Sequence, residues 1–566
     1  MTNVLLSRGR GKPKIMVSCL CSLSILLVTV GGVRSQEQKP LVQDFSYWAQ
    51  LCSSLKDAKT YEDALKACDQ AIALNPNEPT TWIDRGDIQL ALGNSAEAVA
   101  SYGQVVRLEP RNSEAWAKRC AGQVDLGNSE AAITDCETAL RIDENWDGVT
   151  RAFALYHQGL ALQKQGEFKE ALFSFDLATQ SNPDYSLAWA ARCALLSYQD
   201  NNYLALNACE QALQVDGDWG NRTPAIAWTN RGRILTKLGQ YNEALASYDQ
   251  ALAINPKDEV AWTEQGAVLY IIGKPDEALT SHEWAIKVSP DYSLALANQC
   301  ATLNQLNNYE EALAACEKAL QEGDGRWGED GAAYAWNHRG NALTGLGRYD
   351  EALASLNRAI ALQPNYADPW SNRGATLWYM GRFDDAIAAT ERAIAINRNF
   401  SEAWFNHGRI LTTLGRFDEG VAAYQQALRG NANVGDRLTL AEIWVNLSAL
   451  LWRLERYEEA IAAADSAIGI NPESAAALYN RALALMALKN YRQAVTTYDQ
   501  AIKIDAENAD FWAGKGIALR LLEDYPDALA ALQKALELNP AHPQALANQD
   551  FVMQQLQPPV ESGSGE

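Results

Sequence analysis

Histidine is scarce in this chain. There are five, His157, His282, His338, His407 and His542, and no two stand in the His-Glu-x-x-His spacing that holds a catalytic metal. A serine elbow, a phosphate-binding glycine loop and a dinucleotide fingerprint are also missing, so no familiar catalytic constellation is present. The run Asp143-Glu144-Asn145-Trp146-Asp147-Gly148 matches the first half of a calcium loop, but Ala154 stands where the closing glutamate belongs. Neither a metal nor a cofactor is expected. Proline is sparse, 18 in 566 residues, while 48% of the chain is hydrophobic and 17 residues are tryptophan, the composition of a folded protein. Basic charge is in deficit: the net charge is −22. Residues 1–35 carry Arg8, Arg10, Lys12, Lys14 and Arg34 and no acid, which leaves −27 for the rest. Such a surface repels nucleic acid and anionic membranes and favours neutral or basic protein partners.

Charge is absent altogether from residues 15–33, which follow the basic stretch ending at Lys14. With Val33-Arg34-Ser35 behind it, this pattern reads as an export signal removed after residue 35. Cys19 and Cys21 lie too early in the apolar run for a lipid-anchored cysteine. The alternative is an uncleaved membrane anchor, since nineteen residues just span a bilayer. Either way the remainder is expected outside the cytosol, periplasmic or secreted.

What is abundant is self-similarity. Trp recurs at 48, 82, 116, 189, 228, 262, 336, 370, 404, 444 and 512, and Leu155, Leu296 and Leu478 fill the gaps. Most steps are 34 residues. Trp228, Gly232, Leu235, Ala244, Tyr248, Ala251 and Pro256 display the whole motif. Numbering the Trp as motif position 4 puts the small residue at 8 and its aromatic or cysteine counterpart at 24. Positions 4, 8 and 11 share one helix face and 20, 24 and 27 share another, with a Gly-containing break between. Neither helix buries its face alone, so neighbouring units must stack.

These motifs resemble the tetratricopeptide repeat family, and the resemblance runs from about Phe45 to Pro540. It implies an all-α superhelical solenoid of antiparallel helix pairs. We assign residues 36–44 to a linker, 45–542 to fourteen repeats, 543–556 to a capping helix and 557–566 to a disordered tail. Gly420 in place of Ala, and Arg398 and Ala432 in place of Pro, depart from the pattern and put single helix ends in question. Four links between repeats are lengthened, at 144–151, 217–223, 322–331 and 430–438, and should project from one edge. Trp146, Trp219 and Trp327 in three of them either contact a partner or fold back to plug the gap.

Two of the ten cysteines fall in the export segment. The other eight form pairs sixteen apart, always at positions 8 and 24: Cys52 with Cys68, Cys120 with Cys136, Cys193 with Cys209, and Cys300 with Cys316. Helix axes about 8–10 Å apart bring facing Cα atoms within disulfide reach. Disulfides are therefore expected, in keeping with export.

The same resemblance implies that the concave surface binds an extended peptide, with position 6 pointing into the groove. Six repeats have Asn there: Asn230, Asn298, Asn372, Asn406, Asn446 and Asn480. An amide both donates to and accepts from a peptide backbone. Phe405 and Tyr479 would add apolar contact, and Arg409 and Arg453 scattered charge contacts. The positions one turn earlier hold Asp368, Glu402, Glu442 and Ala476, which argues against capture of an acidic C-terminus. The function expected is a non-catalytic protein- or peptide-binding scaffold. The alternative is a membrane-tethered assembly factor for a membrane protein complex. No segment outside the repeats is long enough to house an enzyme domain.

Overall fold

The computed structural model describes residues 44–142, 148–215, 219, 223–328, 331–430 and 437–557. The export segment, Trp146, the calcium-like run up to Asp147, most of the links at 217–223 and 430–438 (Ala432 included), and residues 558–566 lie outside them. Among the described residues every regular element is a helix. Fourteen helix pairs follow one another, from Phe45–Asp57 with Tyr61–Leu74 to Ala509–Leu521 with Tyr525–Leu538, and Pro543–Leu556 packs on the last pair. We call the first helix of each pair A and the second B.

One repeat explains the rest. Helix A, Ala225–Lys237, stops because Gly239 turns left-handed at φ 74°, and the Gln240 N–H then returns to the Leu235 carbonyl at 2.8 Å. Helix B, Tyr241–Ile254, runs back along A. Every repeat has a left-handed residue at this place; six use Lys59, Asp200, Asn307, Glu455, Lys489 or Glu523 instead of glycine, at some backbone cost. Between the helices, a Cβ on Gly232 would fall 2.5 Å from the Tyr248 ring, so the ring fills the space that the missing side chain leaves. Gly86 with Tyr102, Gly159 with Phe175 and Gly408 with Tyr424 repeat the arrangement. The alanines at positions 20 and 27, such as Ala244 and Ala251, are fully buried and set the close approach.

At the same two positions the cysteines meet as expected. Cys52 faces Cys68, Cys120 faces Cys136, Cys193 faces Cys209 and Cys300 faces Cys316, with Cα atoms 5.0–5.4 Å apart, at disulfide distance. All eight are fully buried between the A and B helices of their own repeat.

Successive repeats are tied by polar groups. The indole N–H of Trp82, Trp116, Trp189, Trp262, Trp370, Trp404 and Trp512 donates to the main-chain carbonyl six residues earlier, at 2.8–3.3 Å. Because the acceptor is main chain, Arg398 serves as well as proline: Trp404 reaches its carbonyl at 2.8 Å, and helix Phe383–Ile396 ends like its neighbours. Gly420 likewise leaves helix Phe417–Arg429 continuous. Arg85, Arg231, Arg339 and Arg481 each bond a hydroxyl of their own B helix at 2.6–2.7 Å. Each also pairs with a carboxylate of the preceding repeat, at 2.7–3.4 Å.

The A helix of each repeat touches the A helix of the next, while consecutive B helices make no comparable contact. The array therefore bends with the A helices on the inside, and its concave wall consists of their side chains.

Candidate functional site: the concave clefts

Three clefts run along the inner wall. The first, about 890 Å³, spans repeats 4–9 and includes Asn230, Arg233, Asn298, Trp327 and Tyr334. The second, about 810 Å³, spans repeats 6–12 and includes His338, Asn372, Phe405, Asn406 and Arg409. The third, about 320 Å³, includes Asn446, Arg453 and Asn480. All six position-6 asparagines thus border the concave side, two in each cleft. None of the cysteines borders these clefts; they hold helix pairs together from within.

The amide groups of the asparagines are partly engaged already. Asn372 Nδ2 donates to Asn337 Oδ1 at 2.9 Å, and Asn406 Nδ2 to Ser371 Oγ at 3.0 Å. Asn480 Nδ2 donates to the Val445 carbonyl at 3.1 Å and to Ser448 Oγ at 2.9 Å. Each of these acceptors belongs to the preceding repeat, so the three asparagines also fasten neighbouring A helices together. Asn406 is only 6% exposed. Asn446 bonds within its own helix, to the Glu442 carbonyl at 2.8 Å.

The apolar pair behaves as core as much as lining. Phe405 is buried and packs 6.0 Å from the Tyr424 ring; Tyr479 is half-buried against Tyr498 and Phe511. Arg409 is held over the Trp378 ring at 4.2 Å, and Arg453 lies 5.5 Å from the Phe417 ring. In the first cleft Arg233 is neutralised by Glu264 at 2.8 Å. Burial pushes the His338 imidazole down to about 4, so at neutral pH it is an uncharged part of the second cleft. His157 lies with its ring tilted against Phe153, centroids 4.1 Å apart, and its Nδ1 is 2.9 Å from the Phe153 carbonyl.

Two features are not evident from the sequence. The first is a row of tyrosines in the second cleft: Tyr241, Tyr270, Tyr309, Tyr349 and Tyr379. Three of them open B helices at position 17, a recurrence that was legible but reads as ordinary helix-start packing until the groove is assembled. The second is the link at 322–331. Residues 322–328 lie against the start of helix Ser293–Gln305: the Leu294 N–H meets the Arg326 carbonyl at 3.1 Å, and Arg326 reaches Glu259 at 3.0 Å. Trp327 folds back on Leu296, Ala297, Ala319 and Ala335 and also borders the first cleft. Trp219 packs on Ala190, Ala212 and Ala227. Among the described residues no group of three or more His, Cys, Asp or Glu could hold a metal ion.

Paired helices in tandem, curved around an inner wall, define an α-solenoid with a concave groove. Family models described as tetratricopeptide repeat match residues 55–121, 154–185, 225–258, 264–327, 340–381, 367–400, 399–473, 445–506 and 479–543. Together they cover well over half of the chain, which belongs to the tetratricopeptide repeat family. Human tetratricopeptide repeat protein 6 is 31% identical over 99 residues, 18% of either chain. The STIP1 homolog of Dictyostelium discoideum is 26% identical over 113 residues, 20% of this chain and 19% of the relative. The chain thus matches about a fifth of the length of these relatives. Among solved structures, the APC/C hetero-tetramer Cut9–Hcn1 covers 90% of this chain and 96% of its own, at 15% identity and a TM-score of 0.44. A tetratricopeptide repeat protein from Parabacteroides merdae covers 44% and 94%, at 19% identity and a TM-score of 0.37.

Proposed function

We propose that this protein is a non-catalytic scaffold that binds an extended protein segment along its concave face, and that it acts outside the cytosol with its four cysteine pairs oxidised. The observation that carries the binding function is the inner wall itself. Clefts of about 810 and 890 Å³ follow the A helices and are bordered by aromatic rings and amides, the groups that accommodate a peptide main chain. Oxidation is supported by four buried pairs at bonding distance, and export by the basic, apolar and small-residue order of residues 1–35. The acidic net charge of −22 favours a neutral or basic partner.

Photo-crosslinking amino acids at Ala375 and Ala449, small residues that border the second and third clefts, test the groove. Crosslinks to a partner from these sites, and none from the exposed Tyr203, are the expected outcome. Equal labelling from all three sites would end the groove assignment. N-terminal sequencing of the same exported material should begin near Gln36. Retention of Met1 in a membrane pellet would replace the soluble scaffold with a tethered one.

A further inference from the structure

The second cleft has a chemistry that the family motif does not prescribe. Around its midpoint Tyr309, Tyr349 and Tyr379 converge beside Gly345. Tyr349 and Tyr379 stand with ring centroids 5.9 Å apart and planes 4° from parallel, and Tyr379 is 51% exposed. Gly345 belongs to helix A of repeat 9, and a Cβ there would fall 2.6 Å from the Tyr309 ring. The glycine therefore lets the Tyr309 ring pack directly against helix A, and the phenol rings of Tyr309, Tyr349 and Tyr379 line a notch beside it. Deeper in the same cleft two buried polar atoms have no hydrogen-bond partner, Asn304 Oδ1 and His338 Nδ1. Asn304 Nδ2 is fixed on the His338 carbonyl at 2.8 Å, which holds the Asn304 amide in place. Unpartnered buried polar atoms in a concave wall call for a polar ligand group.

From this we propose that the second cleft binds a proline-rich segment in the polyproline II conformation; the inference rests on the groove function above. Three properties fit that ligand and disfavour others. Flat aromatic walls accept the pyrrolidine ring, and a preformed polyproline helix loses little conformational freedom on docking. Its unpaired carbonyls need donors, which the Tyr349 and Tyr379 hydroxyls and the His338 imidazole can supply, the Tyr309 hydroxyl being spent on Asn307 Oδ1 at 2.6 Å; its few N–H groups need an acceptor such as Asn304 Oδ1. The central notch between Tyr309 and Tyr379 contains no charged lining residue, and the charged ones, Glu402, Arg409 and Glu442, lie at one end of the cleft. A ligand with neutral proline turns and a basic residue at that end matches the distribution.

The test uses the full-length oxidised chain and two labelled peptides of about twelve residues, roughly 37 Å in polyproline II. One has proline at every second or third position and one terminal lysine; the other replaces each proline with alanine. Fluorescence anisotropy should show the proline peptide binding at least about tenfold more tightly. Gly345→Leu, which forces the Tyr309 ring out of its place in the wall, and Tyr349→Ala with Tyr379→Ala should each weaken it by about tenfold or more. Tyr203→Ala, outside the cleft, should bind as the parent does, whereas Tyr379→Phe, which keeps the ring and loses one donor, should weaken binding by less than the double alanine variant. Thermal melts confirm that each variant is folded. Equal binding of the two peptides, both lost in Gly345→Leu, would overturn the proline preference and leave the groove standing. Displacement by a neutral oligosaccharide at lower concentration than by peptide would overturn it in favour of a glycan. Binding indifferent to every cleft variant would overturn both the inference and the groove.

Discussion

Repeats 1, 3, 5 and 8 close the gap between their two helices with facing cysteines, whereas repeats 9–14 close the same gap without any. In the first group Cα atoms 5.0–5.4 Å apart suffice for a sulfur bridge. In the second, Gly340, Gly374, Gly408 and Gly516 make room for Leu356, Thr390, Tyr424 and Leu532. Two medium-sized groups in one case, and none against a larger one in the other, fill the same gap between helices held at a fixed distance. Filled volume is what the fold requires; facing cysteines at bonding distance are an addition found only among the first eight repeats.

Reducing the protein breaks the comparison most severely. A bridge between residues sixteen apart contributes about 3 kcal/mol in the chain-entropy model, and there are four. Hydrogen exchange of oxidised protein should therefore show repeats 9–14 opening first, and reductant should abolish the advantage of repeats 1–8. Peptide mapping without reductant should link Cys52 to Cys68, Cys120 to Cys136, Cys193 to Cys209 and Cys300 to Cys316. Eight free thiols in denatured, unreduced protein would remove the distinction between the two regions.

Acid should strike repeat 7 hardest, with His338 of repeat 9 adding a smaller loss of the same sign. There His282 occupies position 24 against Gly266, fully buried with neither ring nitrogen partnered, and burial lowers its pKa from 6.5 to about 3. The unfolded chain then binds a proton that the folded one refuses. Stability is intact above pH 6.5, falls between 6.5 and about 3, and levels off below. The slope is about 1.4 kcal/mol per pH unit, so on the order of 2–3 kcal/mol is lost by pH 4.5. Urea unfolding of the parent and of His282→Phe at pH 7 and 4.5 checks this; an unchanged difference between them would refute it.

The smallest effect is also the sharpest comparison. Gly408→Cys alone drives a side chain into the Tyr424 ring and should cost about 2 kcal/mol. Adding Tyr424→Cys transplants the bridge into repeat 11. Mass spectrometry should detect the new disulfide, and oxidation should recover the lost stability. Failure of the pair to oxidise would mean that the helices of repeats 9–14 are not spaced as those of the first eight.

Much of this architecture was readable one residue at a time. The 34-residue step, the Gly-containing break between helices and the coupled identities at positions 8 and 24 all concern residues of a single unit, whose contacts are local and fixed by helix geometry. The fourteen copies are their own comparison set, which is why the sequence alone matches Cys52 to Cys68 and the other three pairs likewise. The asparagine row was legible too, as a position, but its hydrogen bonds were not. Asn372, Asn406 and Asn480 each bond to the repeat before, 32 or 35 residues away, and that partner depends on the rotation between units.

The groove belongs to the same category. Tyr309, Tyr349 and Tyr379 come from three successive repeats and play different motif roles, two opening B helices and one closing an A helix. The sequence determined that helix pairs form, where each begins and ends, and which residues face each other inside a pair. Only the stacking of one pair on the next decided which side chains share the concave wall, because the curvature that gathers them comes from contacts between A helices of different repeats.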